Sequence, residues 1–216
     1  MSTLDLFGAP IAGEQERLGP QAVVLRGFAL PFVDELLPAI ADINTVSPFR
    51  QMQTPGGYTM SAELSSCGKL GWVSDRQGYR YSHLDPHTGQ PWPNMPNHFV
   101  QLARQSAAEA GFSHFEPDAC LINRYAPGAR MSLHQDKNER DFSAPIVSVS
   151  LGMAAVFLFG GLQRSDKAVR VTLYHGDVVV WGGTDRMRFH GIMPVQDAAH
   201  PLLGAQRINL TFRKAG

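Results

Sequence analysis

The sequence predicts a mainly β chain with flanking helices, its core an antiparallel sandwich or jelly roll. From about residue 115 onward, short runs of β-branched and aromatic residues alternate with Gly-rich turns. No helical periodicity interrupts these runs, which sets aside a parallel βαβ sheet. Both helical signals come earlier in the chain.

Residues 1–20 carry Gly, Pro and Glu with little periodicity and read as a loose arm. Val33, Leu36, Leu37, Ile40 and Ile43 follow helical spacing, and Pro38 within them predicts a late start or a kink. Residues 47–95 mix Gly, Pro and polar residues with Trp72, Tyr79, Tyr81 and Trp92. That stretch is too aromatic for a linker and suits irregular strands and loops over a site. A second helix is predicted from about Pro96 to Ala110, with Pro96 as its first residue and Gly111 as its C-terminal cap. Eight strands follow: Ala119–Tyr125, Met131–His134, Ile146–Leu151, Ala155–Phe159, Val169–Leu173, Asp177–Trp181, Arg188–Ile192 and Gln206–Phe212.

At 216 residues the chain suits one domain with a full core. The reading divides it into an arm and helix (1–46), a lid (47–95), a supporting helix (96–114) and a catalytic core (115–216). Lys plus Arg equals Asp plus Glu, 19 each, so net charge announces no nucleic-acid partner; one would have to be met by a local patch. Cys67 and Cys120 have no metal-ligand spacing and read as free thiols in a reducing compartment. The first residues, Met1 to Phe7, lack the pattern of a signal peptide, and a cytoplasmic location is expected. The uncharged run from Ala144 to Leu162 has the length of a membrane span. Its β-branched content and its break at Gly152 predict two buried strands instead, and no membrane partner. No coiled coil or long exposed apolar stripe is visible, which fits a monomer.

Chemistry enters at His134-Gln135-Asp136. Residues i and i+2 of a strand face the same way, so His134 and Asp136 would project together. Such a pair alone more often hydrogen-bonds than ligates. A third ligand is predicted in His190, on a predicted strand and followed by Gly191, where the backbone can approach closely. Two imidazoles and one carboxylate make the facial set of non-heme Fe(II) oxygenases.

Arg207, Asn209, Thr211 and Arg213 share one strand face, with Ile208, Leu210 and Phe212 on the other. Two arginines directed inward are costly without an anion. A bound dicarboxylate would answer the bidentate guanidinium forks. Asn123 and Tyr125 repeat the i, i+2 logic on another strand and would add neutral hydrogen bonds.

These stretches resemble one family. Ser47–Met52, Thr54–Met60, Asn123–Ala129, Leu133–Lys137, Gly176–Gly183 and Asn209–Arg213, with Leu4–Phe7 near the start, are similar to the AlkB family of Fe(II)/2-oxoglutarate-dependent dioxygenases, which act in nucleic-acid alkylation repair. The resemblance covers nearly the whole chain. It implies a double-stranded β-helix core with an N-terminal helical and lid extension. It also implies Fe(II) on His134, Asp136 and His190, with 2-oxoglutarate and O2 as co-substrates. Arg207, Asn123 and Tyr125 would hold the distal carboxylate, and Asn209 and Arg213 would support the metal-proximal end. Trp72 and Tyr79 would belong to a nucleotide-recognition lid, with Trp72 and His134 sandwiching a flipped base and Arg164 lining the pocket. Thr54, Tyr58, Ser132 and Lys137 would touch phosphates. The implied reaction is oxidative demethylation of bases such as N1-methyladenine and N3-methylcytosine, mainly in single-stranded DNA, with duplex DNA and RNA left open.

One position departs from the bacterial pattern of the family, which carries an aspartate two residues after the ligand carboxylate. Here it is Asn138, a neutral group that both donates and accepts. A weaker preference for N1-methyladenine and better tolerance of bases with a carbonyl at that edge are expected. Three rivals remain: the same iron chemistry on a protein side chain or small metabolite, a metal-dependent hydrolase, and a non-catalytic jelly-roll binding module. The hydrolase leaves Arg207 and Arg213 unexplained.

Overall fold

The computed structural model describes residues 11–216. The Leu4–Phe7 stretch and the signal-peptide expectation lie outside these residues. Within them, strands are named in chain order: β1 (Gln15–Gly19), β2 (Ala22–Leu25), β3 (Glu63–Gly68), β4 (Gly71–Asp75), β5 (Gly78–Ser82), β6 (Ala119–Tyr125), β7 (Met131–His134), β8 (Ile146–Gly152), β9 (Ala155–Phe159), β10 (Val169–Leu173), β11 (Val178–Trp181), β12 (His190–Ile192) and β13 (Arg207–Arg213). The helices are α1 (Val33–Val46) and α2 (Asn97–Glu109).

Two antiparallel sheets face each other. The larger has the order β1-β2-β11-β8-β13-β6-β3, and the smaller β10-β9-β12-β7. The last eight strands divide evenly between them, as in a jelly roll. The remaining pair, β4 and β5, forms a separate two-stranded ribbon. The run that matched a membrane span in length is β8 and β9, and among the described residues no helix is long and apolar enough to cross a membrane.

Strand alternation sorts the core into two layers. Val178, Val180, Ile208, Leu210 and Phe212 point out of the large sheet and pack against α1 and α2. Val179 and Trp181 point between the sheets, where Phe157, Phe159, Val171 and Ile192 meet them from the smaller sheet. The outer layer buries Val33, Leu36, Ala39, Ile40 and Ile43 of α1, and Phe99, Leu102, Ala103 and Ala107 of α2. Phe99 meets Phe212 edge-on, with ring centroids 5.8 Å apart.

Three expectations need correction. The arm is not loose throughout: β1 and β2 form a hairpin, and β2 pairs with β11 from Val178↔Leu25 to Trp181↔Ala22. Of the two outcomes expected at Pro38, the late start is overturned: the first helix begins at Val33 and runs through Pro38. Pro38 and Asp34, whose carbonyl loses its partner, are both exposed, so the break falls on the solvent side while the apolar face stays buried. In the second helix, Pro96 caps from extended backbone rather than being its first residue. That helix ends as expected: Gly111 has φ of 88°, Phe112 N–H donates to Ala107 O at 2.8 Å, and Gly111 N–H donates to Ala108 O at 3.0 Å.

Candidate iron and co-substrate site

His134 ends β7 and His190 begins β12, and the antiparallel ladder sets them directly opposite each other. Their ring centroids lie 4.4 Å apart. Gly191 permits this: a Cβ there would lie 2.6 Å from the carbonyl oxygen of Met131 in β7. Asp136 follows two residues past His134 and completes the set. His134 Nε2 is 3.5 Å from Asp136 Oδ1, and His190 Nε2 is 3.8 Å from Oδ2. One ligand atom from each residue lies within 4.8 Å of the other two.

The protonation pattern suits a cation. His134 Nδ1 donates to Ser132 O at 2.9 Å and His190 Nδ1 to Arg188 O at 3.1 Å. A carbonyl can only accept, so both Nδ1 atoms carry the proton and both Nε2 atoms offer lone pairs. Burial, and then the neighbouring His134, push His190 down to about 3, so it stays neutral. Burial alone would raise Asp136. The Arg213 guanidinium, followed by the two imidazoles, nonetheless holds it well below the usual carboxylate range. Two imidazoles that turn Nε2 toward an ionised carboxylate, with His134 partly open to solvent, fit a facial Fe(II) site.

Asp136 is held from behind. Arg213 donates to its Oδ2 from Nε at 2.9 Å and from Nη2 at 2.6 Å. Arg186 donates to the Asp136 main-chain carbonyl at 2.8 Å and to Glu139 at 3.1 Å. Glu139 in turn faces Arg213 at 3.5 Å and accepts from the Tyr81 hydroxyl at 2.7 Å. Two carboxylates and two guanidiniums thus balance in a buried cluster, the arrangement that makes such burial affordable. Sequence reasoning missed Glu139, Arg186 and Tyr81.

The inner face of β13 forms the adjoining wall. Arg207 is opposite Tyr125 and Asn209 is opposite Asn123, so these four polar side chains share one surface. Asn209 is fully engaged: its amide donates to Ser148 Oγ at 2.8 Å and Val149 O at 2.9 Å, and its Oδ1 accepts from Thr211 at 2.9 Å. Arg207 is not. It is 1% exposed, and only Nη2 has a partner, Ser150 Oγ at 3.0 Å; Nε and Nη1 have none. Asn123 Oδ1 is likewise buried without a partner. Burial pushes the Arg207 guanidinium below its ordinary value, and the nearby Tyr125 opposes that. A buried cationic fork with two free donors matches a carboxylate ligand.

A family model described as the 2OG-Fe(II) oxygenase superfamily matches residues 21–213. The alpha-ketoglutarate-dependent dioxygenase AlkB of Salmonella typhimurium is 58% identical over 98% of each chain. The chain belongs to the AlkB family. It is therefore an Fe(II)- and 2-oxoglutarate-dependent dioxygenase, and O2 is its other co-substrate. Among AlkB-family relatives, the DNA N(6)-methyladenine demethylase ALKBH1C of Arabidopsis thaliana is 33% identical over 73% of this chain and 41% of its own length. The solved structure of OsALKBH1 superposes with a TM-score of 0.81 at 28% identity, covering 93% of this chain and all of that one.

The other residues singled out from the sequence of this AlkB-family chain fall on the β4–β5 ribbon, on segments flanking the ligands, beside Phe189, and on a turn at residues 54–58. Trp72 of β4 and Tyr79 of β5 stack with centroids 5.5 Å apart and planes 15° apart. Asn138 ties this ribbon down: Nδ2 donates to Tyr79 O at 3.3 Å, and Oδ1 makes a long 3.5 Å contact with Trp72 Nε1. Arg164 donates to Leu133 O at 2.5 Å, next to His134, with its guanidinium 5.1 Å from the Phe189 ring. Thr54 and Tyr58 close a tight turn, with Tyr58 N–H donating to Thr54 Oγ1 at 3.1 Å. Tyr58, Ser132 and Lys137 are exposed.

Proposed function

We propose that the enzyme oxidatively removes N-alkyl groups from nucleic-acid bases, mainly in single-stranded DNA, releasing formaldehyde, succinate and CO2. The observation that carries this reading is the open Nε2/carboxylate triad beside the unpaired fork of Arg207, overhung by the aromatic β4–β5 ribbon. Naming of relatives as AlkB and as a DNA demethylase supports the substrate class.

His134, Asp136 and His190 would hold the iron, and Arg207, with Asn123 and Tyr125, would take the distal carboxylate of 2-oxoglutarate. When bound, iron and 2-oxoglutarate supply the oxidising power that hydroxylates an N-methyl carbon. The chain supplies position and exclusion of water. Arg213 keeps Asp136 ionised and fixed, and Asn209 braces the wall beside it. A stacked base cannot reach a ligand set buried between two sheets, so the damaged base must leave the stack. Trp72 and Tyr79 offer aromatic faces for it, worth ~1–3 kcal/mol per stacked base. His134 would face it from the core, Asn138 and Arg164 would read its edge and rim, and Thr54, Tyr58, Ser132 and Lys137 would contact phosphates.

The test is formaldehyde and succinate release from a single-stranded oligonucleotide bearing N3-methylcytosine, supplied with Fe(II), 2-oxoglutarate and O2. Stoichiometric products, lost in His134→Ala, are expected. Succinate without formaldehyde on any methylated base would move the substrate to a protein or metabolite.

A further inference from the structure

The chain has no net charge, yet its cations are not evenly spread. A groove of about 520 Å³ runs between β5 and the C-terminal segment, lined by Lys69, Arg80, Arg140, Lys214, Tyr79 and Asn138 among others. That volume lies within the range of ligand clefts, ~300–1,000 Å³.

Its acidic member is already satisfied. Asp118 accepts from Ala215 N–H at 2.6 Å, Lys214 Nζ at 2.9 Å and Gly216 N–H at 3.2 Å. Arg80 is paired with Asp75 through a two-point fork at 2.9 and 2.8 Å, so its charge is already answered. Lys69 and Arg140 are exposed, and among the described residues no carboxylate lies within 4.0 Å of either. Their backbones are nonetheless fixed in the groove wall: Lys69 N–H donates to Asp118 O at 2.8 Å and Arg140 N–H to Ala215 O at 3.2 Å. Two unneutralised cations on an ordered wall make an anion track rather than a diffuse field.

The groove also has a direction. Tyr79 and Asn138 belong both to its lining and to the ribbon contacts around Trp72. A strand delivering a base to that point would have adjacent phosphates in the groove. The phosphate contacts inferred from the family pattern, Thr54, Tyr58, Ser132 and Lys137, are not among its lining residues.

We propose that this groove is a second phosphodiester track, in which Lys69 and Arg140 grip the strand flanking the flipped base. The proposal rests on the nucleic-acid reading given above. It assigns to the groove the part of the affinity that grows with strand length.

The test measures anisotropy of labelled single strands bearing one N3-methylcytosine, using the full chain loaded with Mn(II) and 2-oxoglutarate. A methylated trinucleotide is compared with a strand several times longer, between about 50 and 200 mM salt. Wild type is expected to bind the longer strand more tightly. In the Lys69→Gln/Arg140→Gln double variant most of that gain disappears, and the slope of log K against log salt shrinks by ~1.4, two contacts at ~0.7 each on a single strand. An unchanged slope and length gain would overturn the groove while leaving the demethylase reading intact. Equal weakening for the trinucleotide would also overturn it, placing both residues at the base pocket. Wild type that binds neither strand, and that when loaded with Fe(II) and supplied with 2-oxoglutarate and O2 releases no formaldehyde, would overturn the nucleic-acid reading itself.

Discussion

The Tyr81 hydroxyl donates to Glu139 Oε1 at 2.7 Å, joining the β4–β5 ribbon to the charge cluster that holds Asp136. Burial pushes the Tyr81 hydroxyl up, so it stays a donor at neutral pH. Tyr81→Phe keeps the ring and removes the tie. The KM for a methylated oligonucleotide is expected to rise ~5- to 10-fold, or about 1–1.4 kcal/mol, the net contribution of about one hydrogen bond. The KM for 2-oxoglutarate should stay constant. Parallel changes in both constants would locate the effect at the metal instead.

Gly191→Ala tests the ladder between the two histidines. The new methyl would meet Met131 O at 2.6 Å, a backbone atom that cannot swing away. The variant is expected to fold with a stability loss of ~1–3 kcal/mol. Its Co(II) affinity, followed by the absorption of the bound ion, should fall at least ~10-fold, since His190 is pushed off its register with His134.

Asn138→Asp should change base preference. The amide donates to Tyr79 O and accepts from Trp72 Nε1; a carboxylate keeps only the second and adds charge. The ratio of kcat/KM for N1-methyladenine to that for neutral N1-methylguanine is expected to rise ~5- to 20-fold, or ~1–2 kcal/mol. Identical ratios in the two proteins would remove Asn138 from base selection.

His175 gives a pH dependence away from the metal. Its Nδ1 accepts from Gly152 N–H at 3.0 Å, which requires that nitrogen to be unprotonated. Burial, and then His200 with its ring 4.3 Å away, hold His175 below its ordinary value. The unfolded chain therefore binds this proton first as pH falls, and stability drops below about pH 6.5. No further loss comes from His175 once pH is below its folded value. The urea midpoint of the wild type should fall between about pH 7 and 5, and that of His175→Asn should fall less.

The eight strands of the core were legible in the sequence to within about two residues, because each alternates or runs apolar between Gly-rich turns. The β1–β2 hairpin was not. Gln15–Gly19 has no buried residue to set a period, and the four residues of Ala22–Leu25 are all buried, which leaves no alternation to read. The triad was visible because two ligands share a strand spacing and the third sits before a glycine. Tyr81 and Arg186 were invisible because they reach Glu139 from 58 and 47 residues away, and only the fold brings them together. The free donors of Arg207 could be anticipated as an inward arginine, but their lack of any partner is a fact of the packed structure.

Both ligand histidines have their tautomers set by a carbonyl two residues back along the same chain segment, and the ladder between β7 and β12 sets their separation. Two main-chain carbonyls and one strand register therefore dictate how both rings meet Asp136, so a change in the backbone between β7 and β12 reaches the ligand set before any ligand is replaced.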